Sequence, residues 1–134
     1  DVPEWYTLTR PPTKVDAFEL KFRQTQLETN QEEALSDLLN ASAPMKPEIA
    51  GTLMTDFIEI DGPGASNWFS EHWNEIPLDR KDHVAASVTT YAVEQGELEN
   101  ARAWLSEITD ENIRRQVETE VAVAELRASR KKGE

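Results

Sequence analysis

Apolar side chains recur along this chain every three to four positions, and the recurrence stops only at proline, glycine and clusters of Asn, Asp and Ser. That period places them on one face of an α-helix, because 3.6 residues make a turn. The cleanest stretch is Ala65, Trp68, Phe69, His72, Trp73 and Ile76. Ahead of it come Val15, Phe18 and Phe22 with Leu20 and Leu27 on an adjoining line, then Ala34, Leu35, Leu38 and Leu39, then Ile49, Ala50, Leu53, Met54 and Phe57. Behind it come Val84, Ala85, Val88, Tyr91 and Ala92, then Leu98, Ala101, Trp104, Leu105 and Ile108, then Ile113, Val117, Val121 and Ala124. No segment alternates like a strand between turn signals; TLMTDFIEI, around Asp56, is the only one that could be misread as one.

The breaks between these runs carry helix start and stop signals. Thr13 with Asp16 is a start. Asn30 with Glu33 three residues later is a capping-box pattern. Pro47 suits a first helical turn, Asp61-Gly62-Pro63-Gly64 ends one helix and sets up the next, and Pro77 closes another with Asp79 able to cap its successor. Gly96 suits a left-handed C-cap, and Thr109 or Asp110 opens the last helix. The expectation is an all-α chain of six or seven helices. The first residues, DVPEWYTLTRPP, hold three prolines and read as extended. The chain therefore divides into an extended Pro/aromatic arm over 1–13, a helical domain over 14–130 and a basic tail over 131–134.

Three segments align internally: EALSDLL from Glu33, GASNWFSE from Gly64 and NARAWLSE from Asn100. Ala34, Ala65 and Ala101 occupy the same place in each, 31 and 36 residues apart, with Asp37, Trp68 and Trp104 three positions on. Each copy leads through a break into a longer amphipathic run. The unit is a short helix, a turn and a longer helix. A small residue lets two helices approach, and a large aromatic one turn later fills the space beside it. The junction YAVEQGELENARAWL, Tyr91 to Leu105, resembles tetratricopeptide-like repeats, in which Gly ends one helix and G-x-L-x-x-A opens the next; Gly96, Leu98 and Ala101 match. The A-x-x-W-[FL]-S-E element is similar to bacterial α-helical hairpin repeats built on a recurring alanine and tryptophan. That resemblance implies antiparallel hairpins stacked as a short right-handed α-solenoid-like array, and a binding role. A plain antiparallel bundle with alanines and aromatics at helical spacing is the alternative.

Charge narrows the partners. The chain has 26 acidic against 14 basic side chains, a formal net charge of -12. Such a surface repels phosphate backbones and anionic lipid, so neither nucleic acid nor a membrane surface is an expected partner, and a protein with a basic surface is. No apolar run approaches the ~20 residues a membrane helix needs, and no signal peptide is visible, so a soluble chain is expected with its compartment open. There is no cysteine, which removes disulfides, thiolate metal sites and cysteine nucleophiles.

Candidate sites are few. His72 with Glu75 three residues later, and His83 across the Pro77 turn, form a His/Glu/His set of metal-ligating type. It lacks an HExxH pattern and any Glu-x-x-His pair, because Phe69 and Arg80 stand three before the histidines; a helix-packing histidine and a surface histidine are the plainer reading. Trp68, Trp73 and Trp104 are core anchors or the walls of a small-ligand pocket. Trp5 and Tyr6 on the arm, with Arg10, and Trp73 beside the turn, are the candidate partner contacts, since exposed aromatics and arginines dominate interface energetics. The Arg127–Lys132 stretch is a solvated helix end or a contact for an acidic surface. No phosphate-binding loop, nucleophile elbow or dinucleotide fingerprint is present, and the many carboxylates sit at helix starts and polar faces. The sequence thus predicts a non-catalytic protein–protein interaction module, a scaffold or accessory subunit, needing no cofactor. Metal binding through His72, Glu75 and His83, and a ligand-binding bundle, are the alternatives.

Overall fold

Each helix boundary in the computed structural model, which describes residues 14–132, has a local cause. Asn30 accepts the Glu33 backbone N–H through Oδ1 at 3.2 Å and donates through Nδ2 to the Glu33 carboxylate at 3.0 Å, a reciprocal cap. It separates α1 (Lys14–Thr29) from α2 (Gln31–Leu39). Pro47 is the first residue of α3 (Pro47–Ile60), where its missing donor costs nothing. Asp61 then serves twice. Its N–H closes α3 on the Phe57 carbonyl, and its Oδ1 accepts the Gly64 N–H at the start of α4 (Gly62–His72).

The apolar period runs unbroken to Ile76, but α4 ends at His72 and tightens into a 3-10 turn over Trp73–Glu75. Pro77 pushes Ile76 into extended geometry (φ -69°, ψ 127°), so the helix cannot continue. Helix α5 (Leu78–Glu94) starts without a side-chain cap, and Asp79, expected to be that cap, lies in its first turn. Gly96 adopts φ 75° and turns the chain from α5 into α6 (Leu98–Glu107), with Glu97 N–H returning to the Ala92 carbonyl. Asp110 caps α7 (Glu111–Lys132) by accepting the Ile113 N–H. Lys131 and Lys132, assigned by sequence to a basic tail, complete α7. Seven α-helices are present, the upper of the six or seven expected, and no strand occurs among the described residues. Thr52 to Ile60, the one strand-like stretch, lies wholly within α3.

The odd-numbered helices touch in succession, α1 on α3, α3 on α5, α5 on α7, while α2 packs on α1, α4 on α3 and α5, and α6 on α5 and α7. The odd row runs parallel, because contacting positions rise together in both partners. Glu19 meets Lys46 and Gln24 meets Asp56; Gly51 meets His83 and Thr55 meets Ser87; Asp82 meets Thr109 and Thr90 meets Glu120. The three aligned alanines, Ala34, Ala65 and Ala101, are all fully buried, as are Leu38 and Phe69 four residues on, with Leu105 nearly so. The core between the layers is completed by Leu53, Met54, Val84, Ile108 and Val121. Each such side chain stabilises the fold by roughly 1.5–3 kcal/mol.

Helix α1 is turned differently from its phenylalanine spacing. Leu27 is buried with Arg23 and Gln26, Leu20 is half-buried, and Phe18 and Phe22 point outward. Two apolar lines cross this helix. Arg23 decides which is buried, because its guanidinium reaches Asp37 and Pro44 only from the Leu20–Leu27 side.

Candidate protein-binding face

Side-chain hydrogen bonds stitch the seams of the odd row. Gln24 Nε2 donates to Asp56 at 3.0 Å, Thr55 Oγ1 to Ser87 Oγ at 2.9 Å, and Thr90 Oγ1 to Glu120 at 2.8 Å. The middle seam is the tightest. A Cβ on Gly51 would lie 3.1 Å from both His83 Cβ and the His83 carbonyl oxygen, and Ser87 Oγ donates to the Gly51 carbonyl at 2.8 Å. A side chain there would have to push the α5 backbone back by a few tenths of an ångström, so glycine lets the two helices come this close.

On either side of that seam the helices part into grooves. One, of about 320 Å³, lies between α1 and α3 and is lined by Lys21, Gln24, Glu28, Asp56, Glu59 and Ile60. The other, of about 380 Å³, lies between α5 and α7, with Val93, Val123 and Ala124 on its floor and Glu94, Glu120 and Arg127 on its rim. Carboxylates outnumber cations in both, and hydroxyls enter only as threonines; no histidine lines either. The α5–α7 groove, with its apolar floor and charged rim, is equipped to bind a side-chain surface, whereas the α1–α3 groove is lined mainly by polar and charged side chains.

The other layer carries the tryptophans. Trp104 packs edge-on to Phe69 at 4.6 Å and to Trp73 at 5.2 Å, Trp73 packs on Phe69 at 5.2 Å, and Trp68 on Phe57 at 6.1 Å. The rings fill one another's space in the edge-to-face geometry their quadrupoles favour, and neither groove described above is lined by a tryptophan. Trp73 remains half-buried, with Lys81 Nζ 4.4 Å over its ring. His72 Nδ1 pairs with Glu75, as the three-residue spacing anticipates, and its ring lies 5.0 Å from Trp68. His83 is elsewhere, against Gly51, and no group of three His, Asp or Glu side chains that could hold a metal ion occurs among the described residues. Trp5, Tyr6 and Arg10 lie outside the described residues.

Sequence reasoning missed two buried arginines. Arg80 of α5 donates Nη1 to the carbonyls of Asp37, Leu38 and Asn40 at 2.9, 3.0 and 3.1 Å, and Nη2 to Ala43 at 2.6 Å. These carbonyls lie at the C-terminus of α2 and in the loop after it, two of them also accepting a backbone N–H (Asn40 on Asp37, Ala43 on Asn40), and there a cation also meets the negative end of the helix dipole. Arg23 of α1 holds the same loop from its other side, pairing with Asp37 at 2.6 Å and with the Pro44 carbonyl at 2.9 Å. Both Nε atoms are buried without a partner. The signal was available: Arg80 falls four residues before Val84, on the buried register of α5. A third arginine, Arg102 of α6, clasps Glu125 and Glu118 of α7, which hold its guanidinium still further above its ordinary pKa.

Comparison with protein-family models, with curated proteins and with solved structures gives no match for this chain.

Proposed function

We propose that the chain is a non-catalytic protein-interaction module, a scaffold or accessory subunit, that contacts its partner through the face of α1, α3, α5 and α7. One observation carries this: two grooves rimmed by carboxylates, the second with an apolar floor, open on a single row of parallel helices. The rims and the net charge of -12 favour a partner with a basic surface. The parallel row, with the matched burial of Ala34, Ala65 and Ala101, supports reading the array as a short right-handed α-solenoid of tetratricopeptide-like hairpins, whose neighbours bury what no single hairpin can. Trp73, half-exposed beneath Lys81, is a second contact on the opposite layer.

Site-specific photo-crosslinking tests the reading. Benzoylphenylalanine at Glu59 and at Glu94 should trap protein partners in the native source, while the same group at Ser106 on α6 should not. Adducts at Ser106 alone would move the site to the other layer, and adducts at none of the three would remove the interaction module.

A further inference from the structure

The groove between α5 and α7 has two unlike ends. Thr90 of α5 bonds Glu120 of α7 at 2.8 Å, which sets the two helices level there. With a rise of about 1.5 Å per residue, Val123 and Arg127 lie roughly 4.5 and 10.5 Å beyond Glu120 along α7. Counted from the same bond, Val93 of α5 stands opposite Val123, and Glu94 opposite Ala124. The groove thus runs from a carboxylate, across a valine floor flanked by a second carboxylate, to a guanidinium. Val123 is 41% exposed, and Val93 and Ala124 are half-buried, so the floor is open. The side chains of Glu94 and Arg127 hold no hydrogen bond or ion pair with any described residue. By contrast, Glu118 and Glu125 of the same α7 are taken up by Arg102.

We propose that this groove takes an amphipathic α-helix of a partner protein, laid antiparallel to α7, with an acidic residue at i, an aliphatic one at i+3 or i+4, and Lys or Arg at i+7. The proposal rests on the interaction-module reading and names the segment that fills one of its grooves. The spacing selects a helix. Positions i, i+3 or i+4, and i+7 lie on one helical face at the same rises as Glu120, the valine floor and Arg127. An extended segment returns to one face every second residue, about 6.6 Å apart, and its third such residue overshoots Arg127. The charges select the residues. A cation at i+7 meets Glu120 and Glu94, and an acid at i meets Arg127. The dipoles select the direction. An acid near the start of a short helix and a cation near its end suit that helix's own dipole. That order lays its positive N-terminus beside the C-terminal end of α5.

The probe is a displayed library of single alanine- and glutamine-rich helices, randomised at i, i+3, i+4 and i+7 and selected on the full chain. Selection should enrich Asp or Glu at i, an aliphatic residue at i+3 or i+4, and Lys or Arg at i+7. One enriched helix is labelled with fluorescein and titrated by anisotropy. Val123→Asp, at an exposed position, should weaken binding about tenfold or more with the circular-dichroism spectrum unchanged. Arg127→Glu should weaken it about two- to fivefold, and a peptide with lysine in place of its acid at i should recover the loss. Three results overturn the proposal: enrichment of the reverse order or of no pattern, binding indifferent to Val123→Asp, or a loss at Arg127→Glu that the lysine peptide does not recover. A partner crosslinked at Glu59 or Glu94 alongside any of these rejects the helix and leaves the interaction module standing. Absence of adducts at every crosslinking position removes the module itself.

Discussion

Replacing Arg80 by methionine tests whether one buried side chain holds the first helical pair to the rest of the array. Methionine keeps most of the apolar stem and removes only the guanidinium. Four carbonyls, those of Asp37, Leu38, Asn40 and Ala43, lose a charged donor at once. A hydrogen bond to a charged group contributes about 1.5–3 kcal/mol, but four to one guanidinium are not additive. The Asn40 side of the loop is exposed enough for water to replace part of the loss. The Leu38 bond is fully buried and cannot be replaced in that way. Each buried acceptor left without its donor costs about 1–3 kcal/mol, and about 3–5 kcal/mol is expected here for the set. Against a total near 0.05–0.15 kcal/mol per residue it is a large fraction of the stability. With about 3–4 °C per kcal/mol for a domain of this size, Tm should fall by roughly 10–20 °C. The assay is thermal and urea unfolding followed at 222 nm, with Arg80→Lys as a companion expected to fall between. A drop of only a few degrees for Arg80→Met would refute the reasoning, because it would mean that solvent already satisfies those carbonyls.

Two further perturbations bear on the two faces. Trp104→Ala removes the ring that fits against Phe69 and Trp73; it should cost about 2–4 kcal/mol and strip most of the near-ultraviolet circular dichroism, whereas an unchanged spectrum would mean the rings are not held. Gly51→Val forces a side chain into the 3.1 Å approach of α5 and should cost about 1–3 kcal/mol by overpacking, read as a lower urea midpoint; a neutral result would show that α3 and α5 slide apart freely.

The helices were legible because their signals are local. Asn30 with Glu33, Pro47, Asp61 and Gly96 act within four residues of themselves, and each stands where its chemistry places it. The aligned alanines were legible for a related reason, since a fully buried position between two helices admits little else. Periodicity failed at α1, where two apolar lines compete. The line with the larger side chains, Phe18 and Phe22, lost to the line that brings Arg23 to Asp37, a residue fourteen positions away. Arg80 was obscure because arginine on a core register looks like an interruption until the carbonyls it serves, some forty residues earlier, are folded beside it. The grooves belong to no single helix. They arise where Gly51 and Ser87 draw the middle helices together while the outer ones splay, a difference between seams that no local pattern encodes. The His72–Glu75 pair was legible from its spacing, while the position of His83 relative to it depends on how α5 lies on α3.

Asp61 is the only residue between α3 and α4, closing one helix with its N–H and opening the next with its carboxylate. A joint that short leaves no slack. The wall of one groove, Asp56, Glu59 and Ile60, surrounds Phe57, whose ring abuts Trp68 on α4. A shift of that wall on loading would reach Trp68 through the Phe57 ring, which makes intrinsic fluorescence a gauge of a face that carries no tryptophan among the described residues.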